Sequence, residues 1–214
     1  MVIIGMGGGI SYATALRFGH EDFKIYMISR NEQKLKTYQE MLNNDGIDSD
    51  YKIADAGDEY ALEKALTEIK QSQNEIIDVL FYNAAVVRQK HILEESIQQI
   101  FTDLKVNVGG AITAVKAVIE PMRKNNRGTI LFTGGGLALT PLPTYGSLSI
   151  GKSALLSLSR QIATELKDTN VKVGTVVVRG YVTADHVKYN PTSIAEEFWY
   201  IHHQSGKELS EIVY

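Results

Sequence analysis

Short runs of β-branched and aromatic residues recur along the chain. Each is followed by a longer stretch in which apolar residues return every three or four positions. The runs predict strands at Val2–Ile4, Lys24–Ser29, Ser49–Ala54, Ile77–Tyr82, Gly128–Thr133 and Val171–Val178, with a weaker one at Glu211–Tyr214. They are apolar on both faces rather than alternating, as strands covered by helices on both sides should be. The longer stretches predict helices at Tyr12–Phe18, Asn31–Leu42 and Glu59–Gln71, one long helix from Leu93 to Lys124, and another from Pro143 to Lys167. Such alternation points to an α/β fold of Rossmann type: a doubly wound parallel sheet of six to seven strands, helices on both faces, one domain over residues 1–214.

Local signals refine the boundaries. Ser29 and Glu32 have the spacing of a capping box at the start of the second helix. Asn190-Pro191 predicts a cap and first turn for a late helix running through Trp199. That helix brings Ile194, Phe198, Ile201 and His202 to near-helical spacing. His202 and His203 read as a packing and surface pair, because no acidic or third imidazole partner accompanies them. His20, His91 and His186 are isolated, so no metal site is expected.

Composition narrows the function classes. A length of 214 residues suits one domain with a substantial core. A net charge of −3 leaves no basic footprint, so nucleic acid is not the expected partner. The absence of cysteine excludes disulfides, thiolate catalysis and Cys-based metal sites. The opening apolar run, Met1 to Ile4, is too short for a signal-peptide core. The longest apolar stretch, Ala111–Ile119, is interrupted by Lys116 and is too short to span a bilayer. The expectation is a cytoplasmic protein without membrane contact.

Glycines gather where the first strand meets the first helix: Gly5, Gly7, Gly8 and Gly9, followed by Ile10 and Ser11. Glycines there let the chain turn tightly, admit a pyrophosphate close to the backbone, and aim helix N–H groups at its charge. The second strand ends at Ser29-Arg30, with none of the acidic residues that an NAD site would offer to the ribose hydroxyls. Arg30, expected in the first helical turn, is disfavoured there by the macrodipole. A 2′-phosphate held in a charge-assisted fork would account for it. The cofactor expected is NADP(H) in preference to NAD(H).

Further along come Asp55 after the third strand, Asn83-Ala84-Ala85 after the fourth, Asn107 and Lys152 on helices, and Arg179-Gly180-Tyr181-Val182-Thr183 after the sixth strand. Together with the spacing Gly5-x-x-x-Gly9-Ile10, these resemble the short-chain dehydrogenase/reductase family over essentially the whole chain. The resemblance implies that Asp55 contacts the adenine ring. It also implies that Asn83 and Ala84 line the cofactor pocket, and that Gly180, Val182 and Thr183 face the nicotinamide amide and pyrophosphate. Arg179 stands where the family has proline, and Ser11 where it has a glycine.

The resemblance also implies a catalytic set of tyrosine, lysine, serine and asparagine. Lys152 and Asn107 occupy two of those positions, whereas Leu148 and Gly135 fall on the tyrosine and serine. Leucine cannot donate a proton and glycine has no side-chain donor. Tyr145, on the predicted helical face of Leu148 but one turn away, Tyr181 in the late loop, and Thr133 on the fifth strand are substitutes. None has the family geometry, and packing is the ordinary role of each. Two function classes follow. One is an NADP-dependent oxidoreductase on a carbonyl or alcohol with an atypical proton donor; the other is a non-catalytic NADP(H)-binding sensor or regulatory subunit. The substrate is not legible. Apolar residues on more than one face of Phe101–Ile119 and Ala154–Leu166 imply, with the family's pairing of these helices, a homodimer or homotetramer.

Overall fold

The computed structural model describes residues 1–72, 76–204 and 209–214. In chain order, β1 (Val2–Ile4), α1 (Ile10–Gly19), β2 (Ile25–Ser29), α2 (Glu32–Asn44), β3 (Ser49–Ile53), α3 (Glu59–Ser72) and β4 (Val79–Tyr82) form the first half. The second half contains α4 (Ile97–Leu104), α5 (Gly110–Lys124), β5 (Gly128–Thr133), α6 (Gly146–Leu166), β6 (Val171–Val177), α7 (Pro191–His203) and β7 (Ser210–Val213). The seven strands are all parallel in the order β3-β2-β1-β4-β5-β6-β7. The order reverses between β1 and β4. That switch point opens a crevice at the carboxyl ends of the strands, where ligands bind in such sheets.

Successive residues of each strand feed opposite faces, as the pleat requires. Val2, Ile4, Leu80, Tyr82, Ile130 and Phe132 pack under α3, α5 and α6. Ile3, Met27, Val79, Phe81 and Leu131 pack under α1, α2 and α7. Each fully buried Phe or Ile contributes about 1.5–3 kcal/mol relative to exposure, so the two layers fix the sheet's register. Strand β3 departs from the expected burial: as an edge strand it is buried at Ser49 and leaves Asp50 and Ile53 exposed.

Three local expectations are corrected. The second helix is capped by Asn31, whose side chain accepts the Lys34 N–H at 2.9 Å, and not by Ser29, which remains in β2. The predicted helix from Leu93 to Lys124 starts at Ile97, capped by Ser96, and widens into a π-turn over Lys105–Gly109. The Tyr82 hydroxyl donates to the Val106 carbonyl within that turn. A side chain at Gly110 would collide with the Ala56 carbonyl and the Tyr82 hydroxyl, so the wide turn lets α5 approach the sheet closely. The helix predicted from Pro143 begins at Gly146, with Tyr145 as its cap residue. The late helix is capped as predicted, with the Asn190 carboxamide accepting the Ser193 N–H at 2.8 Å. Much of the apolar surface read as surplus on α5 and α6 is used inside the chain: Val115, Val118, Leu155 and Leu156 are buried.

Candidate active site

Gly5 ends β1 with φ +88°, and a side chain there would collide with the backbone of Ala84 at the end of β4. Only glycine satisfies both constraints. The Ser11 hydroxyl donates to the Gly5 carbonyl at 2.8 Å and accepts from Asn83 Nδ2 at 2.7 Å. The serine standing in for a glycine therefore joins the turn, α1 and the β4 end. The first turn of α1 carries no acidic residue and no side-chain cap, so its dipole end is free for an anion. Open space lies over Gly7 and Gly9, while the Tyr38 hydroxyl reaches over Gly8. The backbone of this turn fits a dinucleotide pyrophosphate.

Beside the turn is a cavity of about 290 Å³ lined by Gly5, Ser29, Arg30, Asp55, Asn83 and Ala84, among others. Six of the positions expected to hold the cofactor therefore converge. Asp55 accepts the Gly57 N–H at 2.8 Å and faces Arg30 at 3.7 Å in a loose, exposed pair. Arg30 precedes the Asn31 cap, outside the first helical turn, so the macrodipole argument for its role does not hold. The charge and the lack of an acid at the β2 end do hold.

A second cavity, of about 480 Å³, opens at the ends of β5 and β6 and is largely apolar. It brings together Gly135, Tyr145, Leu148, Lys152, Gly180, Tyr181 and Val182 from three segments of chain. The Lys152 stem is partly open to this space, while its ammonium is enclosed and donates to the Thr133 carbonyl at 2.7 Å. Burial lowers its pKa to about 8, because the charged form loses solvation. Leu148, one helical turn earlier, forms a buried part of the wall. Gly135 is extended, at φ −164°, and its backbone faces the Lys152 stem.

The two tyrosines named as substitutes meet. Tyr145 Oη and Tyr181 Oη are 3.0 Å apart, and this hydrogen bond, ahead of burial, raises the Tyr145 pKa. Tyr145 is the α6 cap rather than a member of its helical face, which corrects the geometry read from its spacing. The Thr133 hydroxyl is buried without a partner among the described residues, and only its carbonyl touches Lys152. Asn107, inside the π-turn, turns its carboxamide toward the β4 loop: Oδ1 accepts the Val86 N–H at 2.7 Å. The Thr183 N–H is bonded to the Tyr189 carbonyl, and the Tyr189 ring fills the space where a Gly180 side chain would lie.

Sequence reasoning missed one supporting network. Arg88 grips Asp103 through two hydrogen bonds of 2.8 and 2.9 Å, and the Ser147 hydroxyl donates to the same carboxylate at 2.8 Å. Asp103 is held below the usual carboxylate range, chiefly by Arg88. The three residues fasten the β4 loop to the first turn of α6, directly before Leu148. Arg88 and Asp103 are fifteen positions apart, and only the fold pairs them. Among the described residues there is no metal-binding cluster and no helix long and apolar enough to cross a membrane.

Comparison with known proteins agrees with this geometry. The profile of the family described as short chain dehydrogenase matches residues 1–193. The chain is 28% identical over 167 residues to the mouse protein dehydrogenase/reductase SDR family member 4. That alignment covers 77% of this chain and 59% of the mouse protein, so the chain spans less than two thirds of that relative's length. An uncharacterized oxidoreductase of Thermotoga maritima is also 28% identical, over 82% of this chain and 69% of its own. Among solved structures, an actinorhodin polyketide ketoreductase variant with NADPH superimposes at a TM-score of 0.87 and 18% identity, covering 99% of this chain and 95% of its own. At that identity the likeness speaks for the fold. With the family profile spanning both cavities and the glycine turn between β1 and α1, the chain belongs to the short chain dehydrogenase family.

Proposed function

We propose that the protein is an NADP(H)-dependent oxidoreductase acting on a carbonyl or alcohol, with an atypical proton donor. The observation that carries this reading is Lys152, whose enclosed ammonium adjoins an apolar cavity at the same end of the sheet as the glycine turn. The cofactor supplies the hydride that adds to the carbonyl carbon. The chain's own residues do the rest. Gly5, Ser11 and Asn83 fix the turn that receives the pyrophosphate. Arg30 supplies a cation for the 2′-phosphate once it leaves its loose contact with Asp55. Lys152, titrating near neutral pH, is suited to exchanging a proton with the reacting oxygen. The Tyr145–Tyr181 hydroxyl pair lines the same cavity and offers a relay from solvent. Family structures bound to NADP, including a metagenomic short-chain oxidoreductase, support the choice of cofactor class.

Incubation with NADPH and a panel of small aldehydes and ketones tests the reading. Loss of NADPH with formation of the matching alcohol, removed by Lys152→Met, is expected. One observation favours a second reading: Leu148 makes an apolar wall where the family resemblance places the tyrosine. If NADPH binds tightly and no carbonyl is reduced, the protein is a cofactor sensor.

A further inference from the structure

The cavity beside Lys152 has a charge pattern that the reaction itself does not require. Its walls are mostly apolar, from Val87, Leu137, Leu142, Leu148 and Val182. Among its lining residues there is no carboxylate, and two carry positive charge, Lys152 and Arg179. The Lys152 ammonium donates to the Thr133 carbonyl and is reserved, in the reading above, for the reacting oxygen. Arg179 is exposed and has no ion-pair partner among the described residues. Its backbone is fixed on both sides. The Arg179 N–H is bonded to the Tyr214 carbonyl, and Gly180 is pressed against the Tyr189 ring. Its stem rests on Gly136, where an added Cβ would lie 3.3 Å from Cγ. The charge is therefore attached to a braced segment at the cavity's lip. A guanidinium keeps its charge at any working pH and matches a carboxylate with two parallel hydrogen bonds.

Resting on the oxidoreductase reading above, we infer that the substrate is an apolar oxo acid, or the corresponding hydroxy acid. Its carboxylate pairs with Arg179 and its hydrocarbon part lies on the apolar walls. The carbonyl is thereby directed toward Lys152. Arg179 is the specificity-determining residue of this site and takes no part in proton transfer.

The test compares 4-oxo-4-phenylbutanoate with its methyl ester, which differ in charge and little in shape. Wild type should favour the acid in kcat/KM, and Arg179→Gln should lower the acid-to-ester ratio about tenfold or more, through KM. Calorimetric titration of both compounds into the NADPH complex reads the same preference without turnover. If neither compound is reduced but the acid binds preferentially through Arg179, the reaction proposed above fails and the binding assignment stands. Equal binding of acid and ester by the wild type overturns the inference. So does an Arg179→Gln variant that weakens NADPH as much as the acid, because the guanidinium would then serve a cofactor phosphate.

Discussion

Gly135 and Lys152 pack side by side in the wall of the apolar cavity: a Cβ built on the glycine would lie 3.5 Å from three carbons of the lysine stem. That is ordinary van der Waals contact, and the extended backbone of Gly135 accepts any residue. A serine hydroxyl is therefore admissible there without moving the lysine. Leu148 borders the same space, so a tyrosine at that position has room to extend toward it. The paired substitution Gly135→Ser with Leu148→Tyr should raise carbonyl reduction with NADPH by about 10²-fold or more, the scale of general acid catalysis. Steady-state kinetics on the folded variant checks it. An unchanged rate with intact NADPH binding would place the deficit outside the proton donor.

Lys152 ties the proposed proton transfer to stability. Its folded pKa, about 8, lies below its ordinary value of 10.5. Between those values the unfolded chain holds a proton that the folded chain has released, so this group's contribution to stability improves as pH rises from about 8 to 10.5. Lys152→Met should accordingly melt at a higher temperature than wild type at pH 7, with the gap narrowing toward pH 10. At about 1.4 kcal/mol per pH unit, the gap is at most about 3 kcal/mol. Reduction by the wild type should slow as pH rises through about 8. Thermal melts across the range decide the first point, and a melting gap that widens with pH would contradict it.

Arg30 is the residue proposed to set the choice of dinucleotide. NADPH should bind more tightly than NADH, and Arg30→Ala should remove most of the difference while changing NADH binding little. A loss on the order of tenfold is expected for an exposed guanidinium–phosphate pair. Fluorescence titration reads both affinities. Equal affinity in the wild type would exclude the assignment.

Assembly is expected through α4 and the start of α5. Ile97 and Phe101, one helical turn apart on α4, are 68% and 61% exposed, and Ile112 on α5 is also exposed. Light scattering at micromolar concentration should give at least a dimer, and Phe101→Asp should shift it toward monomer. A monomeric wild type would refute the expectation.

The sheet was legible because five of its strands, β1, β2, β4, β5 and β6, are short apolar runs, and a run covered on both faces leaves little choice of structure. The glycine turn was legible for a similar reason: positive φ and close backbone approach restrict the residue type at Gly5. The π-turn was not, since Lys105–Gly109 keeps a helical polarity pattern and the close approach at Gly110 is visible only in the fold. Nor was the meeting of Tyr145 with Tyr181, a contact between a helix cap and a loop thirty-six positions away. Ser29 and Asn31 compete for one capping role, and spacing alone favoured the wrong residue. Asn107 was found by its neighbourhood, but its partner, the Val86 backbone, depends on how the β4 loop folds back.

Two adjacent residues at the end of β4 divide their hydrogen bonds between opposite sides of the sheet. Tyr82 braces the π-turn through the Val106 carbonyl, and Asn83 ties down the glycine turn through Ser11. Side chains of neighbouring strand residues point in opposite directions, so one short strand end serves both helical layers at once. Inserting or deleting a single residue there would exchange the two side chains between faces, detaching the cofactor turn and the wide helical turn in one event. The loop that follows, from Val87 onward, can vary in length without that penalty, whereas the spacing up to Asn83 cannot.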